Sequence, residues 1–132
     1  MVHSIEISSE LASINNVRLF LEKILNESIL TEVNFNRVFL TLSEVLNNSI
    51  VHGNCSNSSK KVFLKVFLEE KNLFFEVTDE GSGFPFNGIV DPTSLNNLKN
   101  EKGRGIFIIR QLADEVEYSD EGRKVMIRFK ID

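Results

Sequence analysis

Residues 34–53 read NFNRVFLTLSEVLNNSIVHG. Wound at about 100° per residue, they set Phe35, Val38, Phe39, Leu42, Val45, Leu46 and Ile50 on one side. Arg37, Thr41, Glu44, Asn48 and His52 fall on the other. The spacing predicts a helix over residues 34–52, closed by Gly53 as a left-handed C-cap. Asn47, Asn48 and Ser49 follow one another near its end, and all three are poor helix formers. A helix relying on propensity would not choose them.

Toward the N-terminus, residues 2–7 alternate apolar and polar like a strand. Ser8 and Ser9 offer an N-cap to a first helix that carries Leu11, Ile14, Val17, Leu21, Ile24 and Leu25 at helical spacing. Toward the C-terminus, a polar loop over residues 54–59 leads to two strands, 62–68 and 73–77, linked closely enough for a hairpin. A long irregular stretch follows over residues 79–102, rich in glycine and holding both prolines. Loops of that length are usually lids or binding loops. Residues 106–112 then read as a short helix, and 116–118 with 125–131 as a closing hairpin around Asp120, Glu121 and Gly122. The order β-α-α-β-β-loop-α-β-β disfavours a doubly wound parallel sheet. It predicts an α+β fold: a two-layer α/β sandwich with helices on one face of a mixed, mostly antiparallel sheet.

Length and composition agree with one domain over residues 1–132. Hydrophobic residues make up 42% and charged residues 26%, which excludes a disordered chain. Lys and Arg number 15 against 19 Asp and Glu, a net charge of -4 that argues against direct nucleic-acid binding. A single cysteine, Cys55, forms no intramolecular disulfide and suggests a reducing compartment. The N-terminus has neither the basic region nor the apolar run of a signal peptide, and no stretch approaches a membrane span. The expectation is a cytoplasmic protein with no membrane contact.

Three features could carry chemistry. Glu44, Asn48 and His52 are spaced i, i+4, i+8 and stack on one stripe. A carboxylate and a carboxamide so placed could serve a hard cation such as Mg²⁺ or orient a nucleophile. Read alone, the stripe also fits an ordinary solvated face. Next, Asp79-Glu80-Gly81-Ser82-Gly83 directly follows an apolar strand. Its glycines let a ligand approach the backbone, and Asp79 could accept a hydrogen bond from an exocyclic amine; a plain turn reads the same way. Last, Gly103-Arg104-Gly105 opens a helix. Helix N-termini present unpaired N–H groups that suit phosphate, and Lys102 and Arg104 add charge; a loop-to-helix junction without a ligand fits as well.

Familiar nucleotide signatures are missing. There is no P-loop, no dinucleotide fingerprint and no protein-kinase catalytic motif. With His3 and His52 as the two histidines, neither a Ser-His-Asp triad nor a zinc site has enough to build on.

Taken together and in order, the three features resemble the GHKL (Bergerat-fold) ATPases, and within them the bacterial anti-sigma-factor serine/threonine kinases. Ser43-Glu44-Val45-Leu46-Asn47-Asn48-Ser49-Ile50-Val51-His52-Gly53 is similar to the N box of that branch, including the trailing His-Gly. Val77-Thr78-Asp79-Glu80-Gly81-Ser82-Gly83-Phe84 is similar to the G1 box, and Gly103-Arg104-Gly105-Ile106-Phe107-Ile108-Ile109 to the G2 box. The likeness runs essentially from the first strand to Ile131.

The resemblance implies ATP and Mg²⁺ as cofactors, with Asn48 binding the metal and Glu44 acting as general base. It implies that Asp79 holds the adenine amine and that Gly81 and Gly83 shape the adenine pocket, with residues 84–102 as the lid. Lys102, Gly103, Arg104 and Gly105 would cradle the phosphates with the first turn after them, Ile106 and Phe107; His52 joins the nucleotide-binding set. The implied substrate is a serine on a STAS-domain anti-anti-sigma protein, the implied second partner a sigma factor, and the implied assembly a homodimer. Leu19 and Phe20, off the main stripe of the first helix, suit an interface or the core. Two other readings stand beside this one: a nucleotide-dependent partner-switching module with little phosphotransfer, and a histidine-kinase-like catalytic domain acting in trans. The chain departs from the family at Lys102, where relatives commonly carry Arg or a small polar residue. It departs again at Gly122-Arg123-Lys124, where Gly-Thr is frequent.

Overall fold

The computed structural model describes residues 2–25, 30–82 and 101–131, with the backbone alone for 32, 33 and 101–104. Strand β1 (Val2–Ser8) leads through a short 3-10 turn into helix α1 (Ile14–Ile24). Helix α2 (Glu32–Asn47) starts at Thr31, whose Oγ1 accepts the Asn34 N–H at 3.2 Å. It runs on as a π-helix over Asn48–Gly53. Strands β2 (Lys61–Glu69) and β3 (Asn72–Asp79) form the expected hairpin. Helix α3 (Glu101–Leu112), β4 (Glu115–Ser119) and β5 (Lys124–Lys130) complete the chain.

The sheet order is β1-β2-β3-β5-β4, and every described pairing is antiparallel, so the parallel element expected of a mixed sheet does not occur among them. Period-2 alternation sorts its faces. Val62, Leu64, Val66, Leu73, Phe75, Val77, Val125, Ile127 and Phe129 all point inward and are buried. Phe75 meets Phe129 edge to face at 5.9 Å. Val17 and Leu21 of α1, Val38, Leu42, Val45 and Leu46 of α2, and Ile109 of α3 cover this face. Each such side chain contributes about 1.5–3 kcal/mol by leaving water. The opposite face carries Phe67 stacked on Phe74 at 4.9 Å and an ion pair from Lys124 to Glu76 at 3.3 Å.

Three local expectations are corrected. Neither Ser8 nor Ser9 caps α1: Ser8 Oγ pairs with Ser13 Oγ at 2.9 Å, and the buried Ser9 donates to the Lys60 carbonyl at 2.7 Å. Gly53 is not left-handed; in the loop that follows it, Cys55 (54°) and Ser56 (55°) take positive φ angles. The last helix does not start at Ile106 but at Glu101, so Gly103 and Gly105 lie inside it. Glycine costs a helix about 1 kcal/mol relative to alanine, and packing against α2 overrides that local preference.

Candidate functional site

The polar side of α2 is not a solvated face. Thr41 is fully buried, with its hydroxyl on the Arg37 carbonyl at 2.9 Å, and Asn48 is 4% exposed. Helix α3 lies across this side. At Gly105 the backbone of α3 comes up against two side chains of α2: a Cβ there would sit 3.0 Å from Glu44 Oε2 and 3.5 Å from both amide atoms of Asn48. Glu44, Asn48 and Gly105 therefore meet at one point. Asn48 Nδ2 is buried without a hydrogen-bond partner among the described residues. Such an orphan costs about 1–3 kcal/mol, a cost that folded proteins tend to carry where a ligand is to be met. Beyond Asn48 the π-helix changes the helical phase, so the straight stripe out to a half-buried His52 does not persist. Single π-turns inside α-helices often mark functional sites.

The π-helix also brings Gly53 against the end of β3. A Cβ on Gly53 would lie 2.5 Å from Asp79 Oδ2. On Gly81 it would overlap the Gly53 carbonyl. Both positions need glycine for close approach. Asp79 is 5% exposed, and its Oδ1 accepts the Gly81 N–H at 2.8 Å. Its own N–H donates to the Arg123 carbonyl at 2.9 Å. Burial pushes the Asp79 carboxyl above its usual range, while the Gly81 N–H and the Arg123 charge pull the other way. A buried carboxylate with one oxygen committed to the backbone has acceptor capacity left for a ligand donor.

The structure thus joins Glu44 and Asn48 to Gly105, and Asp79 to Gly81. Lys102, Gly103 and Arg104 fall in the first turn of α3, whose N–H groups have no intrahelical partner. Ile106 is fully buried and its side chain belongs to the core, whereas Phe107 is 39% exposed. Gly83 lies outside the described residues, as does residues 84–100 of the expected lid.

The donor set suits a metal-bound nucleotide. An unpaired buried amide, a carboxylate and a helix N-terminus gather on one side of α2. Mg²⁺ binds through few protein groups and leans on substrate phosphates. Among the described residues no cluster of three or more His, Cys, Asp or Glu competes as a metal site. Sequence reasoning missed Asn54, which is 1% exposed and hydrogen-bonded to Glu80 beside Asp79. In a chain rich in Asn, nothing local set it apart from its loop neighbours.

Comparison with known proteins agrees with this fold. The family model described as a histidine kinase-like ATPase domain matches residues 7–129. Anti-sigma F factors of Bacillus thuringiensis (strain Al Hakam) and Bacillus mycoides (strain KBAB4) are each 33% identical over 78 residues, 58% of this chain. The match spans 53% of those relatives' length. The structure of the RsbU and RsbW domains of a Mycobacterium tuberculosis protein superposes with a TM-score of 0.68 at 15% identity. That superposition covers 99% of this chain and 32% of the other. The match over residues 7–129 places the chain in one family: it belongs to the histidine kinase-like ATPases.

Proposed function

We propose that the protein is an ATP-dependent serine/threonine kinase of the anti-sigma type, which phosphorylates a STAS-domain partner and regulates a sigma factor. The observation that carries this reading is the meeting of Glu44 with Asn48 beneath Gly105 of α3. Asn48 would hold Mg²⁺, which when bound would supply charge neutralisation for the ATP phosphates. The N–H groups of the first turn of α3 hold the phosphates themselves, with Lys102 and Arg104 adjoining. Asp79 accepts from the adenine amine, and Gly81, packed on Gly53 beside it, shapes the pocket with Gly83. Glu44 accepts the proton of the substrate serine as its oxygen bonds to the γ-phosphorus. The bond from that phosphorus to the β–γ bridging oxygen breaks, and ADP leaves. Phosphoryl transfer needs positioning and charge neutralisation above all. A chain of net charge -4 supplies these locally, through backbone and metal.

Incubation with a cognate STAS-domain protein, labelled ATP and Mg²⁺ tests the reading. Acid-stable phosphoserine is expected on the STAS protein. Acid-labile label would indicate phosphohistidine and the trans-acting histidine-kinase reading. ATP-dependent partner binding without any label would indicate the partner-switching module.

A further inference from the structure

The loop after the π-helix contains a buried amide that ties the two walls of the purine end together. Asn54 Nδ2 donates to Ser9 Oγ at 2.8 Å and to the Lys61 carbonyl at 3.0 Å. Its Oδ1 accepts the Glu80 N–H at 2.8 Å. Its own N–H closes the π-turn on the Ser49 carbonyl at 2.8 Å. Ser9 in turn donates to the Lys60 carbonyl, and the Glu80 carboxylate accepts the Lys61 N–H at 2.5 Å. One side chain therefore connects the end of β1, the start of β2, the π-helix and the turn after β3.

The two residues it fixes are neighbours of the site. Asn54 follows Gly53, and Glu80 lies between Asp79 and Gly81. Gly53 and Gly81 touch backbone to backbone, with the Asp79 carboxylate against both. The Asn54–Glu80 bond therefore ties the end of the π-helix to the residue next to Asp79 and helps set its lateral register. No other side chain of this size does the same work. Aspartate keeps the acceptor but loses both donors, serine is too short to span, and alanine makes none of the bonds.

We propose that Asn54 is a positioning residue for purine recognition: it sets where the Asp79 carboxylate stands, and so how well the site tells an amino-purine from an oxo-purine. The proposal rests on the reading that Asp79 receives the adenine amine. Its test is calorimetric titration with ATP and with inosine triphosphate, which has a carbonyl where ATP has the amine. The wild-type protein is expected to favour ATP. In Asn54→Ala the ATP affinity falls about tenfold while the inosine nucleotide is nearly unaffected, so the preference collapses.

Equal losses for both nucleotides would make Asn54 a general stabiliser and overturn the proposal, as would an unchanged preference in Asn54→Ala. Should Asn54→Ala not fold, Ser9→Ala decides. It removes one anchor of the amide, and the preference must fall, by about threefold, for the proposal to stand. A wild-type protein that binds ATP with no preference over the inosine nucleotide would remove Asp79 as the reader, and this inference with it. A wild-type protein that binds neither would instead overturn the proposed function itself.

Discussion

Asp79, the proposed adenine acceptor, shows what a buried carboxyl costs the fold that carries it. Its carboxyl is buried and its pKa lies above the usual carboxylate value. The folded state therefore binds more protons than the unfolded chain, and stability falls as pH rises through the interval between the two pKa values. Asp79→Asn keeps an acceptor for the Gly81 N–H and removes the buried charge. The ligand-free variant should therefore be more stable than wild type, with the gap opening from about pH 4 upward, while ATP affinity drops. Thermal denaturation across pH, paired with ATP titration, checks both halves; a variant less stable at neutral pH would contradict the cause given for the shift. Gly105 is the complementary case. A Cβ there meets the movable end of Glu44 rather than backbone. Gly105→Ala should fold, within about 1 kcal/mol of wild type, yet lower phosphotransfer by displacing the Glu44 carboxylate. Equal losses of stability and activity would point to a general clash instead.

Helix α2 was legible in its apolar half and misleading in its polar half. Val38, Leu42, Val45, Leu46 and Ile50 are buried, as their spacing predicts. Periodicity within one segment does not report what a distant helix covers, so the burial of Thr41 and Asn48 under α3 could not be read from it. The π-helix was hidden for a related reason. Asn47, Asn48 and Ser49 signal a weak α-helix, but not which way it yields. Arg37 had the look of a solvent-facing residue. Its Nε donates to the last carbonyl of α3, Leu112, at 2.6 Å, its guanidinium reaches Asp114 at 3.5 Å, and it lies over the Phe129 ring at 5.4 Å. It holds the C-terminal end of α3 on α2. Arg37→Ala should cost about 1–3 kcal/mol in chemical denaturation, with Arg37→Lys recovering little because the planar fork is lost. A cost below about 0.5 kcal/mol would show that α3 is held without it.

At the scale of the molecule, the succession of elements along the chain, the hairpins and the helix-covered face followed from local pattern, because each strand's alternation reports its own two faces. Sheet order and the α2–α3 contact depend on long-range pairing and came from the structure. Among the described residues no helix is long and apolar enough to cross a membrane. On α1, the two residues that suited an interface or the core now separate: Leu19 is 65% exposed, whereas Phe20 packs on the core. Leu19→Asp should leave stability within about 0.5 kcal/mol, and a change in molar mass with that variant would assign α1 to a subunit interface. Phe20→Asp should lower the melting temperature whether or not a dimer exists.

The central claim is that α2 and α3 assemble a phosphoryl-transfer site in which Glu44 takes the substrate proton. Single-turnover transfer from labelled ATP to a STAS-domain protein, run beside ATP titration, tests it most directly. For Glu44→Ala the account predicts ATP affinity close to wild type and a transfer rate lower by about 10²–10⁴. Transfer at the wild-type rate in that variant would contradict it.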